Sequence, residues 1–208
     1  MKINKTTMIS LVCDQERYRN CVLKSTKDYK SKIEYVPLFN VDHATKALNE
    51  AVDKANHNLI VICHQDFVFV DNIVKCMETW LPKLDNWGVC GLAGATRKGE
   101  QTARDLPGAI VHEVLTVDSM CVILDKRNSL RFDEEFLWWH MYAEDLCLQA
   151  IYDYDYNVYV LPCGWIHPGD DTYDKLPGAG GMEPSWERMR EKWYPRVHGQ
   201  ICTTVGEV

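Results

Sequence analysis

Five apolar residues in a row, Leu59 to Cys63, run directly into a polar triplet, His64-Gln65-Asp66. A short, uniformly apolar run is how a strand covered on both faces reads, and such strands belong to parallel sheets. The segment before it repeats Ala44, Ala47, Leu48, Ala51, Val52 and Ala55 at helical spacing, which predicts a helix with one apolar stripe. The segment after it predicts a second helix, capped by Asp71, with Ile73, Val74, Met77, Trp80, Leu81 and Leu84 inward. Helix, buried strand, helix is the repeat of a doubly wound α/β sheet, and such sheets bind ligands at the carboxyl ends of their strands. The triplet stands at one of those ends.

The flanking chain extends the pattern. Met8 to Cys13, Ile33 to Phe39, Trp87 to Leu92, Met120 to Leu124 and Val158 to Leu161 read as further strands. Arg17 to Lys27 is polar-rich and compatible with helix. Ala143, Leu146, Cys147, Ala150, Ile151 and Tyr154 space a third amphipathic helix, and Ser185 to Trp193 a last one. Between them, residues 162–184 are rich in Gly, Pro and Asp, the composition of a long mobile loop able to close over a site. The expectation is a single α/β domain over residues 1–208, with a mostly parallel central sheet flanked by helices. A chain of 208 residues can bury one sizeable core and hardly two.

Charge restricts the partners. The formal net charge of -7 repels nucleic acid and anionic membrane surfaces, so neither is expected as a main partner. A phosphorylated ligand would then need a cation to bridge acid to acid. Nine scattered cysteines without a CxxC pair argue for free thiols and a cytoplasmic location. The N-terminal apolar run is too short for a secretory signal, and no stretch reaches membrane-spanning length, although peripheral work beside a membrane stays open.

Two acidic clusters are candidates for chemistry. Asp66 could hold a hard divalent cation against phosphate oxygens, or simply cap a turn. Glu144-Asp145 opens a helix just after Trp138-Trp139-His140-Met141-Tyr142. A carboxylate there could take a proton from an acceptor hydroxyl, though acids are common in first turns because they complement the helix dipole. Trp138 and Trp139 could stack on a sugar or fill the core. His140 and His167 could be metal ligands or hydrogen-bonded structural residues. Gly88, Gly91 and Gly94 match no phosphate-cradling pattern.

Taken in order, these segments resemble the family 2 glycosyltransferases of GT-A fold, in the branch with His-Gln-Asp where most members have Asp-x-Asp. The resemblance runs over residues 8–195 through ATKALNEAVDKA, LIVICHQDF, WGVCGLAGATRKG, VDSMCVILDKR, RFDEEFLWWHMYAEDLCLQA and the later IHP. It implies transfer of a sugar from a nucleotide diphosphate, with UDP the family-weighted nucleotide, to a hydroxyl acceptor such as a saccharide, a lipid-linked saccharide or a growing polysaccharide. It further implies Asp66 and His167 as ligands of Mn2+ or Mg2+, Asp145 as the base of an inverting displacement with Glu144 beside it, and Asp14, Asn49 and Gln65 near the nucleotide. His64 stands where the usual triplet has its first Asp, and Leu48 where an Arg usually precedes the helix asparagine. Two other readings of the acidic cluster remain: a nucleotide-sugar binding domain without turnover, and a metal-dependent phosphohydrolase or nucleotidyltransferase.

Overall fold

A computed structural model describes residues 2–102, 109–136, 140–168, 183–197 and 200–207. The first half is built from β1 (Thr6–Val12), α1 (Gln15–Tyr18), α2 (Lys24–Thr26), β2 (Ile33–Phe39), α3 (Ala44–Lys54), β3 (Leu59–Cys63), β4 (Val68–Phe69), α4 (Ile73–Trp80) and β5 (Trp87–Gly91). The second half has β6 (Gly94–Ala95), β7 (His112–Glu113), β8 (Thr116–Val117), β9 (Cys121–Asp125), α5 (Tyr142–Tyr154), β10 (Asn157–Val160), β11 (Trp165–Ile166), α6 (Glu183–Trp193), β12 (Cys202–Thr203) and β13 (Gly206–Glu207).

Seven strands form the central sheet in the order β2-β1-β3-β9-β5-β10-β7. The pairs β2–β1, β1–β3 and β5–β10 are parallel. Strand β9 runs antiparallel between β3 and β5, and β7 antiparallel at the edge beside β10. The mixed α/β fold with a mostly parallel sheet is therefore present, with one reversed strand at its centre.

Period-2 alternation divides β3 between two cores. Val61 and Cys63 pack on the α4 side with Met8, Ile73, Val74 and Met77, whereas Ile60 and Ile62 pack on the other side with Leu48, Val52, Tyr142 and Leu146. All five residues of β3 are buried, as its unbroken apolar run predicts. Each such aliphatic side chain contributes roughly 1.5–3 kcal/mol by leaving water. A third cluster, with Phe136, Leu148, Met189 and Trp193, seats α6 against the outer side of α5.

Three expectations change in detail. Asn72, not Asp71, caps α4, its side chain accepting the Lys75 N–H at 3.1 Å. Asp71 instead accepts the Gly164 N–H at 2.6 Å and fixes the chain leaving β10. The polar segment after β1 is helical but broken into short pieces, with a π-helical turn over Arg19–Leu23 and a 3-10 stretch over Lys27–Lys32. The glycine series is steric: a Cβ on Gly88 would meet Tyr156 at 2.6 Å, one on Gly91 would meet Val117 at 2.6 Å, and one on Gly94 the Thr116 carbonyl. Of the expected 162–184 loop, residues 169–182 lie outside the described residues; 162–168 contain β11, and α6 begins at Glu183.

Candidate functional site

Strand β3 ends in a tight turn, with the His64 N–H on the Met120 carbonyl and the Phe67 N–H on the His64 carbonyl. The turn points the triplet out of the carboxyl end of the sheet. Gln65 is used structurally: its Oε1 accepts the N–H groups of Cys13 and Asp14 at 2.9 and 2.8 Å, tying the end of β1 to the end of β3. Asp14 caps α1 through the Arg17 N–H, so its backbone borders the site while its side chain is committed to the cap.

His167 arrives from far along the sequence. The two Gly164 carbonyl contacts to the Val70 and Asp71 N–H groups start a short antiparallel pairing, Trp165 with Phe69 and Ile166 with Val68. Continued by one residue, that register sets His167 against the triplet. Its Nε2 lies 3.0 Å from Asp66 Oδ1, and its ring centroid 5.3 Å from that of His64. One ligand atom each from His64, Asp66 and His167 falls within 4.8 Å of the others, making a candidate metal centre.

The electrostatics of the three are coupled. Burial alone would raise Asp66 and lower His167, but their hydrogen bond and mutual charge outweigh it, so the carboxyl is lowered and the imidazole raised. His64 is lowered by burial and by the charge of His167, which keeps it neutral and able to offer a lone pair.

Asp118, between β8 and β9, lies within electrostatic reach of both histidines of the cluster and was not among the sequence candidates. Its carboxylate accepts the Met120 N–H at 2.9 Å and the Thr204 hydroxyl, and its charge acts on His64, His140, His167 and Glu144. The available signal was an acidic residue between two apolar strand segments.

The two acids opening α5 have different surroundings. Asp145 is fully buried, with Lys192 Nζ 2.8 Å from Oδ1 and 3.0 Å from Oδ2 and the Trp193 indole N–H donating at 2.7 Å. Glu144 is 4% exposed, and its Oε2 has no hydrogen-bond partner. Burial pushes Glu144 up to about 8, with the negative charge of Asp118 adding to the shift. The chain enters α5 through Met141 in the left-handed region at φ 63, a costly conformation for a buried non-glycine residue. Asn49 lies elsewhere: its amide exchanges hydrogen bonds with the Phe132 backbone at 2.9 and 3.0 Å, pinning α3 to the segment before α5. Trp138 and Trp139 lie outside the described residues.

Solved structures share this architecture. GalNAc-T7, determined with UDP, GalNAc and Mn2+, superposes with a TM-score of 0.62 at 7% identity over 92% of this chain and 49% of that one. A197 from STIV gives 0.55 at 14% identity, covering 80% of this chain and 86% of that one. S. aureus TarS 1-349 in complex with UDP-GlcNAc gives 0.55 at 14% identity over 90% and 65%. The fold is that of the GT-A glycosyltransferases. This chain spans about half of the GalNAc-T7 chain and just under two thirds of that of TarS. No protein-family model and no curated protein sequence matches it. Within the GT-A frame, the His64-Asp66-His167 centre sits beyond the end of β3, and Asp118 acts electrostatically both on its two histidines and on Glu144.

Proposed function

We propose that the chain is a metal-dependent glycosyltransferase that moves a sugar from a nucleotide diphosphate, UDP foremost, to a hydroxyl acceptor with inversion. The observation that carries this reading is the convergence of His64, Asp66 and His167 at the carboxyl edge of a GT-A sheet. Two imidazoles and one carboxylate suit a transition-metal cation such as Mn2+ better than Mg2+, which prefers oxygen donors alone. A bound cation would neutralise charge on the departing diphosphate. Family 2 membership, suggested by the ordered motifs, belongs to this proposal.

For the proton acceptor we favour Glu144 over the neighbouring Asp145. A carboxyl near 8, with one unpartnered oxygen, can exchange a proton at neutral pH. Asp145 serves as base only if Lys192 and Trp193 withdraw from it; as found, it orients the start of α5 and holds α6. Gln65 fixes the turn that carries Asp66, and the Asp14 backbone borders the same rim. Asn49 supports the scaffold.

The deciding experiment is thermal stabilisation by a panel of nucleotide sugars, with and without Mn2+, for wild type and Asp66→Ala. The expected result is stabilisation by one nucleotide class that needs both Mn2+ and Asp66, followed by sugar transfer to a saccharide acceptor. Stabilisation without acceptor-dependent turnover would favour a binding domain, and phosphate release without acceptor a phosphohydrolase. Indifference to every nucleotide sugar would overturn the proposal.

A further inference from the structure

The opposite end of the sheet also holds a cavity. Strands β1, β3 and β5 begin beside an open space of about 660 Å3 whose wall includes Leu59, the first residue of β3. His64, of the candidate metal centre, follows the last residue of the same strand, so the two sites lie roughly 17 Å apart at ordinary strand rise. They share no lining residue.

The lining has the opposite sign to the molecule. Lys2, Lys5 and Arg127 bring three positive charges and Asp125 one negative, in a chain of net charge -7. Arg127 satisfies Asp125 directly, its Nε and Nη2 reaching both carboxylate oxygens at 2.5 to 3.1 Å, and Glu78, whose charge reaches Lys2, is itself paired with Lys32 at 3.1 Å, so Lys2 and Lys5 remain as exposed cations of the lining. Both lysines are exposed and can reach into the space. A concave, cationic wall concentrates anions even on an acidic protein. Half-buried Trp87 supplies an aromatic surface, and the exposed side chain of Asn58 supplies an amide donor and acceptor. Cations for a phosphate, an indole for the apolar face of a sugar ring and an amide for hydroxyls are complementary to one ligand class. The volume falls in the range of small-molecule sites.

We propose that this cavity binds a phosphate-bearing saccharide, at a site separate from the metal centre. Phosphate would lie against Lys2 and Lys5, and the sugar ring against Trp87. The site is independent of the transferase reading, because none of its residues takes part in the proposed reaction.

Calorimetric titration of metal-free protein with a hexose phosphate, inorganic phosphate and the neutral hexose tests it. The expected result is that hexose phosphate binds at least about tenfold more tightly than either fragment. The Lys2→Glu/Lys5→Glu variant should lose at least that factor with its melting temperature retained, and Asp66→Ala should bind as wild type does. Trp87→Leu should weaken hexose phosphate while leaving inorganic phosphate unchanged. Absence of binding, insensitivity to the lysine reversals, or loss in Asp66→Ala alone would overturn the proposal. Equal affinity for inorganic phosphate would overturn the saccharide assignment.

Discussion

Glu144 carries a buried oxygen that no hydrogen-bond donor reaches, and this gives a pH-dependent signature independent of any substrate. Its folded-state pKa of about 8 lies above the ordinary glutamate value of about 4.3. Between those limits the native state holds a proton that the unfolded chain has released, so this residue makes stability fall as pH rises. Glu144→Gln removes the ionisable group while keeping its shape. The variant should match wild type near pH 4 and exceed it at pH 8 by at least about 1 kcal/mol, less than one pKa unit's worth. Urea unfolding at the two pH values measures this. If Glu144 is also the base, transfer falls in the same variant by roughly 10²–10⁴-fold. A variant that is stabilised at pH 8 yet fully active would separate the buried acid from the chemistry.

Helix α6 is joined to α5 by a buried ionic contact rather than by apolar packing alone. Lys192 bridges Asp145 and Asp133, and Arg188 reaches Asp133 at 2.8 Å. Removing one partner of a buried pair leaves the other charge uncompensated, which costs more than the pair itself contributes. Lys192→Met should therefore destabilise by roughly 3 kcal/mol, and adding Asp145→Asn should recover a large part of that loss. A double-mutant cycle followed by chemical denaturation reads the coupling. Additive losses would mean that the ammonium and the Asp145 carboxylate do not depend on one another. The same cycle probes Asp145 as a base: Lys192→Met frees Oδ2 while the Trp193 indole N–H keeps Oδ1, and a rise in transfer there would return the base role to Asp145.

Over the whole molecule, two sets of carboxyls with opposite shifts shape stability. Asp133 is lowered to about 2: burial works against ionisation, and hydrogen bonds from Lys192 and Arg188 outweigh it. Asp66, Asp125 and Glu34 are lowered as well. Groups of this kind stabilise above their unfolded pKa of about 4 and lose that contribution as pH falls through the folded value. Glu144 and Asp145, both raised chiefly by burial, act in the other direction, and Glu144 carries this furthest to the alkaline side. Melting temperature should thus peak in mildly acidic solution, drop steeply from about pH 4 toward pH 2, and decline gently toward pH 8. Melts across that range check the profile, and Glu144→Gln should flatten only the alkaline limb. No helix among the described residues is long and apolar enough to cross a membrane.

Local order was legible in the sequence because it depends on neighbours within a few residues. The apolar run of β3, the helical stripe of α3 and the β-branched and aromatic content of Ile33–Phe39 mark their elements locally, and the triplet follows β3 by chain connectivity alone. Asp66 and the pair Glu144-Asp145 could be singled out from their places at the end of β3 and the start of α5, though not which of the two acids would be the base. The reversed strand β9 could not, since an apolar run reads identically in either direction. Nor could the meeting of His167 with Asp66, 101 residues apart, which depends on Asp71 and Gly164 folding β11 back onto β4. Asp118 nears the site only once β9 pairs with β3 and the β8–β9 connection lies at the carboxyl end of β3. The division of labour between adjacent Glu144 and Asp145 is also tertiary: helical geometry turns the two side chains about 100° apart, and α6 reaches only one of them.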